Sequence, residues 1–356
     1  MRSREFLALE LITDSGVRGW GEVFSSPWGA AALIRSTFGH HVVGKSAQLY
    51  GKLFHEMLAS TGYDRRGAAM MAISALDMAL HDVAARERSL SVAQMLGGAL
   101  RSRVFAYASG PFLKDDAAPY AHFNKDAESY LKRGFRAIKP RAGLSPRADG
   151  TMIKSMRAAV GPDTGLMVDI NQGYTAAAAC ASAKAMEESL LLWMEEPVQP
   201  EDIAGYKTVA QSSSVPIAGG EALGSLASFR DFLAVLALSV VQPDLGVCGG
   251  FSGFQRVAHL CAAYDIPVMP HVFGTPINFY ASLQMAALIP ERRGGGPMPY
   301  PYIEYDATDN PLMKLYGFPV EADGCVPLPE STGLGFELTS NMLEPWTVER
   351  WSMVQP

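Results

Sequence analysis

The stretch "GLMVDINQGY", residues 165–174, is an apolar run that passes into an acidic residue, Asp169. The same pattern returns in "LLWMEEPV", residues 191–198, where the run reaches Glu195. The alanine-rich segment that joins them has the composition of a helix, so strand and helix alternate here. Apolar strands that alternate with helices indicate a parallel sheet covered by helices on both faces.

Six further runs extend this pattern along the chain in both directions. They are "RVFAYASG" (103–110), "FRAIKPRAG" (135–143), "VPIAGGEAL" (215–223), "SVVQPDLGV" (239–247), "IPVMPHVFG" (266–274) and "PYIEYD" (301–306). Eight such runs, most followed by an amphipathic segment, predict a β/α barrel. The alternative, a doubly wound sheet, would need a glycine-rich phosphate-binding turn after an early strand, and the sequence has none there.

The segments on either side of the barrel pattern differ from it. Residues 6–24 alternate apolar and polar positions around "TDSG", which predicts a β-hairpin. From residue 68 to 96 the apolar residues recur at helical spacing until Gly97 and Gly98 end the pattern. The first hundred residues therefore predict a small α+β unit. The chain after "YIEYD" is irregular, and we expect its last part to pack back on that unit.

The composition excludes several classes of protein. Of the 356 residues, 48% are hydrophobic and 19% charged, with a formal net charge of −6, which is typical of a globular protein and unlike a nucleic-acid binder. Four cysteines without CxxC spacing favour a reducing, cytoplasmic setting over a disulfide framework. Apolar runs of about ten residues are too short to span a bilayer. Glu5 and Glu10 interrupt any signal-peptide core.

Charged side chains mark the ends of the seven runs that follow the first. In chain order they are Lys139 with Arg141, Asp169, Glu195, Glu221, Asp244, His271 and Glu304. Active sites of β/α barrels lie at the carboxyl ends of the strands, so these groups would meet at one mouth. Such a gathering of charge is costly unless the charges are paired or bind a metal.

Asp169, Glu195 and Glu221 come from three successive strands. Three neighbouring carboxylates repel one another, and a divalent cation removes the conflict. Ligands that are all oxygen favour Mg²⁺, or Mn²⁺, over Zn²⁺. The alternative is that each carboxylate is a surface residue at the start of a loop, which is harder to accept for three residues in the same pattern than for one.

Several motifs resemble the enolase superfamily, specifically its mandelate racemase-like subgroup. They are "VDINQGY", "WMEEPV", "AGGEAL", "QPDLGVCGG" and "PHVFGTP", while "ALDMALHDVAAR" and "GLGFEL" are similar to the family's capping helix and C-terminal signature. Within the subgroup the stretch from Gln242 to Ser252 is most similar to galactarolactone cycloisomerases, and the chain also resembles acid-sugar dehydratases. The resemblance covers nearly the whole chain.

The resemblance implies an α/β fold, a modified TIM barrel of the (β/α)7β type with an N-terminal α+β capping domain. We expect the capping domain over residues 1–102, apparently shortened at its N-terminus, and the catalytic barrel over 103–310. The segment 311–356 would complete the capping domain. A cytoplasmic homo-oligomer is expected, with a small carboxylate substrate and neither nucleic acid nor membrane as a partner.

The resemblance also implies roles for the strand-end residues. Asp169, Glu195 and Glu221 would bind Mg²⁺, and Asp244 would orient His271 as a general base. Glu304 would hydrogen-bond the substrate carboxylate. Asn171, in "VDINQGY", and Trp28, on a loop after the hairpin, are further candidates for substrate contact.

Lys139 and Arg141 depart from the family pattern. Relatives commonly carry Lys-x-Lys here, with the second lysine as a base on the face opposite the histidine. Arginine keeps its proton in proteins and is a poor base. We expect Arg141 to lower the pKa of Lys139, because a neighbouring like charge disfavours the protonated form.

A single good base suits β-elimination better than racemisation. We therefore expect Mg²⁺-dependent removal of the proton α to the carboxylate of an acid sugar or its lactone, through a metal-stabilised enediolate. Dehydration or lactone-opening cycloisomerisation would follow. One alternative is a racemase or epimerase of a 2-hydroxy acid that uses Lys139 as second base. The other is a non-catalytic barrel that binds an acidic ligand.

Overall fold

A computed structural model describes residues 4–62, 65–308 and 310–354. The N-terminal unit begins with the predicted antiparallel hairpin, β1 (Leu7–Ile12) and β2 (Arg18–Val23). Five helices follow: α1 (Pro27–Leu33), α2 (Gly39–Val42), α3 (Tyr50–Ser60), α4 (Gly67–Glu87) and α5 (Val92–Met95). A π-helical turn, Ile34–Phe38, joins α1 to α2. A 3₁₀ turn, Ala47–Leu49, precedes α3.

Helix α4 is the core of this unit. It lies directly against β2, and a Cβ on Gly21 would collide with the carbonyl oxygen of Ala75, so the close approach requires glycine. Among the described residues α4 is the one helix long and apolar enough to cross a membrane, yet 89% of its most apolar window is buried inside the protein. It is therefore a core helix of the protein. A count of uninterrupted apolar residues does not reveal it, because polar residues interrupt its apolar sequence.

The barrel follows as eight strand positions joined by seven helices. Its strands are β3 (Arg103–Ser109), β4 (Ala137–Lys139), β5 (Gly165–Leu166) continued by β6 (Val168–Asp169), β7 (Met194–Glu195), β8 (Ile217–Gly219), β9 (Val240–Val241), a bridge segment at 268–271, and β10 (Tyr302–Asp306). The helices are α6 (Phe123–Lys132), α7 (Pro146–Val160), α8 (Ala176–Met186), α9 (Ile203–Ser212), α10 (Leu226–Ala234), α11 (Gly250–Ala263) and α12 (Pro276–Ala286).

Parallel pairing links the strand positions in chain order. β10 pairs with β3, β3 with β4 and β4 with β5, and a bridge from Arg141 to Asp169 carries the sheet on to β6. β6 to β9 then pair in sequence, and bridges at Val268 and His271 add the seventh position. The (β/α)7β barrel expected from the sequence is confirmed.

Alternation along each strand sorts the side chains into two layers. Side chains on the inner face of the strands fill the barrel interior, and several are large, among them Phe105, Tyr107, Met167, Trp193, Met269 and Tyr302. Side chains on the outer face, such as Ile138, Val168 and Met194, pack outward against the helices. Because interior residues recur every second position, Trp193 and Met167 lie in the layer below Glu195 and Asp169.

The C-terminal segment contacts both units. It includes a 3₁₀ turn (Met313–Tyr316), β11 (Cys325–Pro327), α13 (Ser340–Leu343) and a second 3₁₀ turn (Glu344–Trp346). β11 pairs antiparallel with β3, so this part adds to the barrel and not to the capping unit. The return to the capping unit begins at Gly333, which bridges Ser91. Further along this segment, the carbonyl of Leu338 accepts a hydrogen bond from Trp20 Nε1 of the capping unit.

Candidate active site

Three carboxylates meet at the carboxyl ends of consecutive strands. Asp169 ends β6, Glu195 ends β7 and Glu221 follows β8 by two residues. Each offers an oxygen that lies within 4.8 Å of the other two. Asp169 and Glu195 are buried, and Glu221 is partly exposed at the mouth. The grouping that the sequence predicts is therefore present in space.

Glu195 is held by neighbours of the same interior layer. Its Oε2 accepts hydrogen bonds from Trp193 Nε1 at 2.9 Å and from Gln242 Nε2 at 2.8 Å. Its Oε1 lies 2.5 Å from Lys139 Nζ. Burial raises the pKa of Glu195 to about 7, and Lys139 opposes that rise. Burial likewise raises the pKa of Asp169, although Arg141 and Lys139 oppose it.

Lys139 is a buried cation among anions. Its Nζ lies 2.9 Å from Glu304 Oε1 and 3.9 Å from Asp169 Oδ2, in addition to its contact with Glu195. Burial alone would lower the pKa of Lys139, but Glu195 and Glu304 raise it well above the ordinary value. The expectation that Arg141 depresses this pKa is wrong, because the carboxylates outweigh the neighbouring cation.

Arg141 points into the same mouth as Lys139. Its NH1 lies 2.6 Å from Asp169 Oδ2, and its guanidinium lies over the ring of Phe112 at 5.3 Å. The two cations thus share Asp169 as a partner but occupy different depths, with Lys139 buried and Arg141 partly exposed. Both are in position to face an anionic ligand.

His271 and Asp244 form a hydrogen-bonded pair on the opposite side of the mouth. His271 Nδ1 lies 2.7 Å from Asp244 Oδ2, and Nε2 faces Glu221 Oε2 at 3.0 Å and Glu304 Oε2 at 3.8 Å. Burial would lower the pKa of His271, but Glu221, Glu304 and Asp244 raise it well above the ordinary value.

The partners of His271 shift in the opposite direction. Burial would raise the pKa of Glu221, yet His271 lowers it to about 2. The pKa of Glu304 is also lowered, since Lys139 and His271 outweigh burial. Glu304 lies between the lysine and the histidine, and its Oε2 also accepts from the backbone of Val272 at 3.2 Å. It therefore links the two sides of the mouth.

The two candidates for substrate contact lie in different surroundings. Asn171 is exposed, has a left-handed backbone (φ 51°), and its N–H donates to Asp169 Oδ1 at 2.8 Å. Trp28, expected on a loop, lies instead in the first turn of α1; it is half exposed, and its Nε1 donates to Glu5. A neighbour of Trp28 reaches further: the ring of Phe24 lies 6.3 Å from that of His271 and packs edge-on against Phe273.

Some residues of the site were missed from the sequence. Trp193 and Gln242 each lie two positions before a strand-end acid, so the rule that i and i+2 share a face could have found them. Phe24 follows β2 directly, but only the packing of the capping unit on the barrel brings it to His271. Asn278, whose side chain contacts Asp244, comes from the helix behind the histidine and had no such signal.

Family models match both parts of the chain. Residues 1–97 match the N-terminal domain of mandelate racemase and muconate lactonizing enzyme, and residues 122–342 match the enolase C-terminal domain-like family. Together the two models cover most of the chain, and the residues between them, 98–121, include β3, the first strand of the barrel.

Curated relatives and solved structures agree with these models. The chain is 33% identical over 344 residues to D-galactarolactone cycloisomerase of Agrobacterium fabrum, covering 96% of this chain and 90% of that protein. The 3,6-anhydro-D-galactonate cycloisomerase structure from Zobellia galactanivorans superposes with a TM-score of 0.87 at 29% identity, covering 97% of each chain. A racemase from Streptomyces coelicolor with bound magnesium gives 0.84 at 27% identity, covering 96% of this chain and 91% of that one.

A capping unit, a (β/α)7β barrel, three clustered carboxylates and a facing His–Asp pair all occur in one chain that these models match almost end to end. The chain belongs to the enolase superfamily, in the branch of mandelate racemase and muconate lactonizing enzyme.

Proposed function

We propose that this chain is a Mg²⁺-dependent enzyme that removes the proton α to the carboxylate of an acid sugar or its lactone and then eliminates the β-oxygen. One observation carries the proposal: His271 Nε2 lies 3.0 Å from Glu221, so the base candidate stands directly beside the three-carboxylate cluster. A substrate carboxylate bound at that cluster would present its α-carbon to the histidine.

The residues present fit a divalent cation. The donors of Asp169, Glu195 and Glu221 are all oxygen, which suits Mg²⁺ and Mn²⁺. Glu221 Oε2 is buried without a well-aligned hydrogen-bond donor, although His271 Nε2 is near it. A cation held by these three residues would supply positive charge to the substrate carboxylate as the α-proton leaves.

His271 performs the proton transfers in this scheme. Asp244 accepts from Nδ1, so Nε2 is the ring nitrogen that takes the α-proton. The electrons of the broken C–H bond form an enediolate on the substrate. The bond from the β-carbon to oxygen then breaks, and Nε2 returns its proton to the leaving oxygen. His271 must be neutral before it can act as a base. The negative charge of Glu221 must therefore be balanced by a partner other than His271.

Lys139, Arg141 and Glu304 bind and orient in this scheme. Lys139 and Arg141 present positive charge at the side of the mouth opposite His271, where a carboxylate and a developing enediolate would lie. Glu304 lies between Lys139 and His271 and would accept a hydrogen bond from the substrate. Lys139 forms buried ion pairs with Glu195 and Glu304, which favours a clamp over a second base.

Racemisation is the second candidate. It is favoured by the interior position of Lys139, opposite His271, and by the likeness to the Streptomyces coelicolor racemase. The name of the Agrobacterium fabrum relative and that of the Zobellia galactanivorans structure support elimination instead. The two outcomes give different products and can be separated in one experiment.

Proton NMR in D₂O with Mg²⁺ tests the proposal on a panel of aldonates, aldarates and aldarolactones. We expect loss of the α-proton signal and a 3-deoxy-2-keto product from at least one of them. His271→Asn should remove this activity. His259→Asn, on the exposed face of α11, should keep it. Exchange with inversion and no keto product would favour the racemase, and no exchange across the panel would contradict both.

A further inference from the structure

Asn278 is a buried amide directly behind the His271–Asp244 pair. It lies in the first turn of α12 and is fully buried. Its Nδ2 lies 3.1 Å from Asp244 Oδ1 and 3.3 Å from Asp244 Oδ2. One NH₂ group therefore spans both oxygens of the carboxylate that accepts from His271.

Two further donors hold Asp244 together with Asn278. The backbone N–H of Gly246 donates to Oδ1 at 2.6 Å, and His271 Nδ1 donates to Oδ2. Turning the carboxylate about its bond to the β-carbon would move both oxygens away from these donors. The amide of Asn278, which lies near both oxygens, adds to this restraint and so helps to fix the direction in which Oδ2 faces the imidazole.

Asn278 is itself held in place from two sides. Ser282 Oγ, one turn further along α12, lies 3.2 Å from Asn278 Oδ1. The backbone N–H of Asn278 donates to Glu22 Oε2 at 3.2 Å. These contacts fix both the amide and the backbone that carries it.

Glu22 belongs to the capping unit, on β2. It is fully buried and also accepts from the backbone N–H and hydroxyl of Thr275, the residue that caps α12. The approach is close: a Cβ on Gly274 would collide with Glu22 Oε1. Because it accepts hydrogen bonds from Thr275 and from the backbone of Asn278, Glu22 anchors the start of α12.

We propose that Asn278 is a positioning residue for His271, acting through Asp244, and that Glu22 makes its placement depend on the capping unit. The inference rests on the proposed function in one respect, since His271 must act as the base for the effect to appear in catalysis. Positioning partners of this kind commonly contribute ten- to a hundredfold to activity.

Asn278→Leu tests the inference, because leucine keeps the branched shape and removes the donor. We expect kcat for the elimination to fall about ten- to a hundredfold while KM changes less than about threefold. Asn278→Ala is the second variant if leucine prevents folding. Gln284→Met is the matched control: Gln284 is a buried amide on the same helix, bonded to Ala93 and Leu334, and its loss should leave kcat near the wild-type value.

A second measurement needs no substrate. In the Mg²⁺-loaded enzyme the low-field proton resonance of His271 Nδ1–H, assigned by its absence in His271→Ala, reports the bond to Asp244. We expect it to shift or broaden in Asn278→Leu and to stay in place in Gln284→Met. An unchanged resonance in Asn278→Leu overturns the inference, whatever the substrate panel shows. If the wild type is active, an unchanged kcat in Asn278→Leu overturns it as well. Absence of wild-type turnover alone would count against the proposed function, not against the positioning.

Discussion

Glu22→Gln should change how the stability of the protein depends on pH. Glu22 is buried between the capping unit and α12, and burial raises its pKa from 4.5 to about 8, although hydrogen bonds from Thr275 and Asn278 oppose the rise and Asp244 adds to it. In the folded protein the carboxyl group is therefore protonated between these two pH values, whereas in the unfolded chain it is ionised. Folding takes up a proton in this interval.

The sign and size of the effect follow from that difference. A raised folded-state pKa means that the stability from this group is complete below pH 4.5 and is lost as the pH rises through about 8. Each pH unit between these limits changes the free energy of unfolding by about 1.4 kcal/mol, so the full interval sets an upper limit of about 5 kcal/mol. Glutamine has the same shape and does not titrate. The stability of wild type relative to Glu22→Gln should therefore fall as the pH rises from 5 to 8.

Urea denaturation at saturating Mg²⁺, at four pH values across this range, measures the difference. Other titrating groups are shared by the two proteins and cancel. Glu128→Gln, an exposed site on α6, controls for the change in formal charge and should run parallel to wild type. Parallel curves for wild type and Glu22→Gln would refute the reasoning and would mean that the N-terminus of α12 keeps Glu22 ionised.

Three further predictions concern the mouth of the barrel. Chelation with EDTA should abolish turnover, and adding Mg²⁺ or Mn²⁺ should restore it. Asp169→Asn should weaken Mg²⁺ binding at least tenfold, as measured by calorimetry. An unchanged affinity would mean that the cation binds elsewhere. Lys139→Met should lower the free energy of unfolding, measured by urea denaturation, by about 3–5 kcal/mol, because Glu195 and Glu304 lose their buried cation. A variant as stable as the wild type would contradict that pairing. Arg141→Lys should add inversion at the α-carbon, detected by NMR, because lysine can lose a proton and arginine cannot. Arg141→Met should add none, and inversion by the wild type would instead indicate that Lys139 is a base.

The barrel and its charged mouth could be predicted because both follow from short-range patterns. Period-two alternation puts Trp193 and Glu195, or Met167 and Asp169, on the same interior face, and one βα unit separates each strand end from the next. A single sequence therefore contains enough information to gather the strand-end acids, although their roles in catalysis remain predictions.

What the sequence did not predict depends on contacts between distant segments. The pKa of Lys139 was expected to fall because Arg141 is its neighbour in the chain, but Glu195 and Glu304, which are distant in sequence, decide its direction. The pairing of β11 with β3 and the approach of Phe24 to His271 likewise arise from packing across the fold. Local patterns carry no information about such contacts.

The return of the C-terminal segment fixes the order in which the protein can be completed during synthesis. The capping unit is built from segments that precede and follow the barrel in the sequence. Three contacts join these segments: Gly333 with Ser91, Phe336 with Arg86, and Glu349 with Arg35. At ribosomal rates of about 5–20 residues per second, the intervening barrel takes roughly ten to fifty seconds to emerge. Chains whose emerged part ends before residue 333 should thus leave the Arg86 end of α4 more open to protease than chains whose emerged part extends past residue 351. The capping unit, whose strands are synthesised first, therefore gains these contacts only after the barrel has been made.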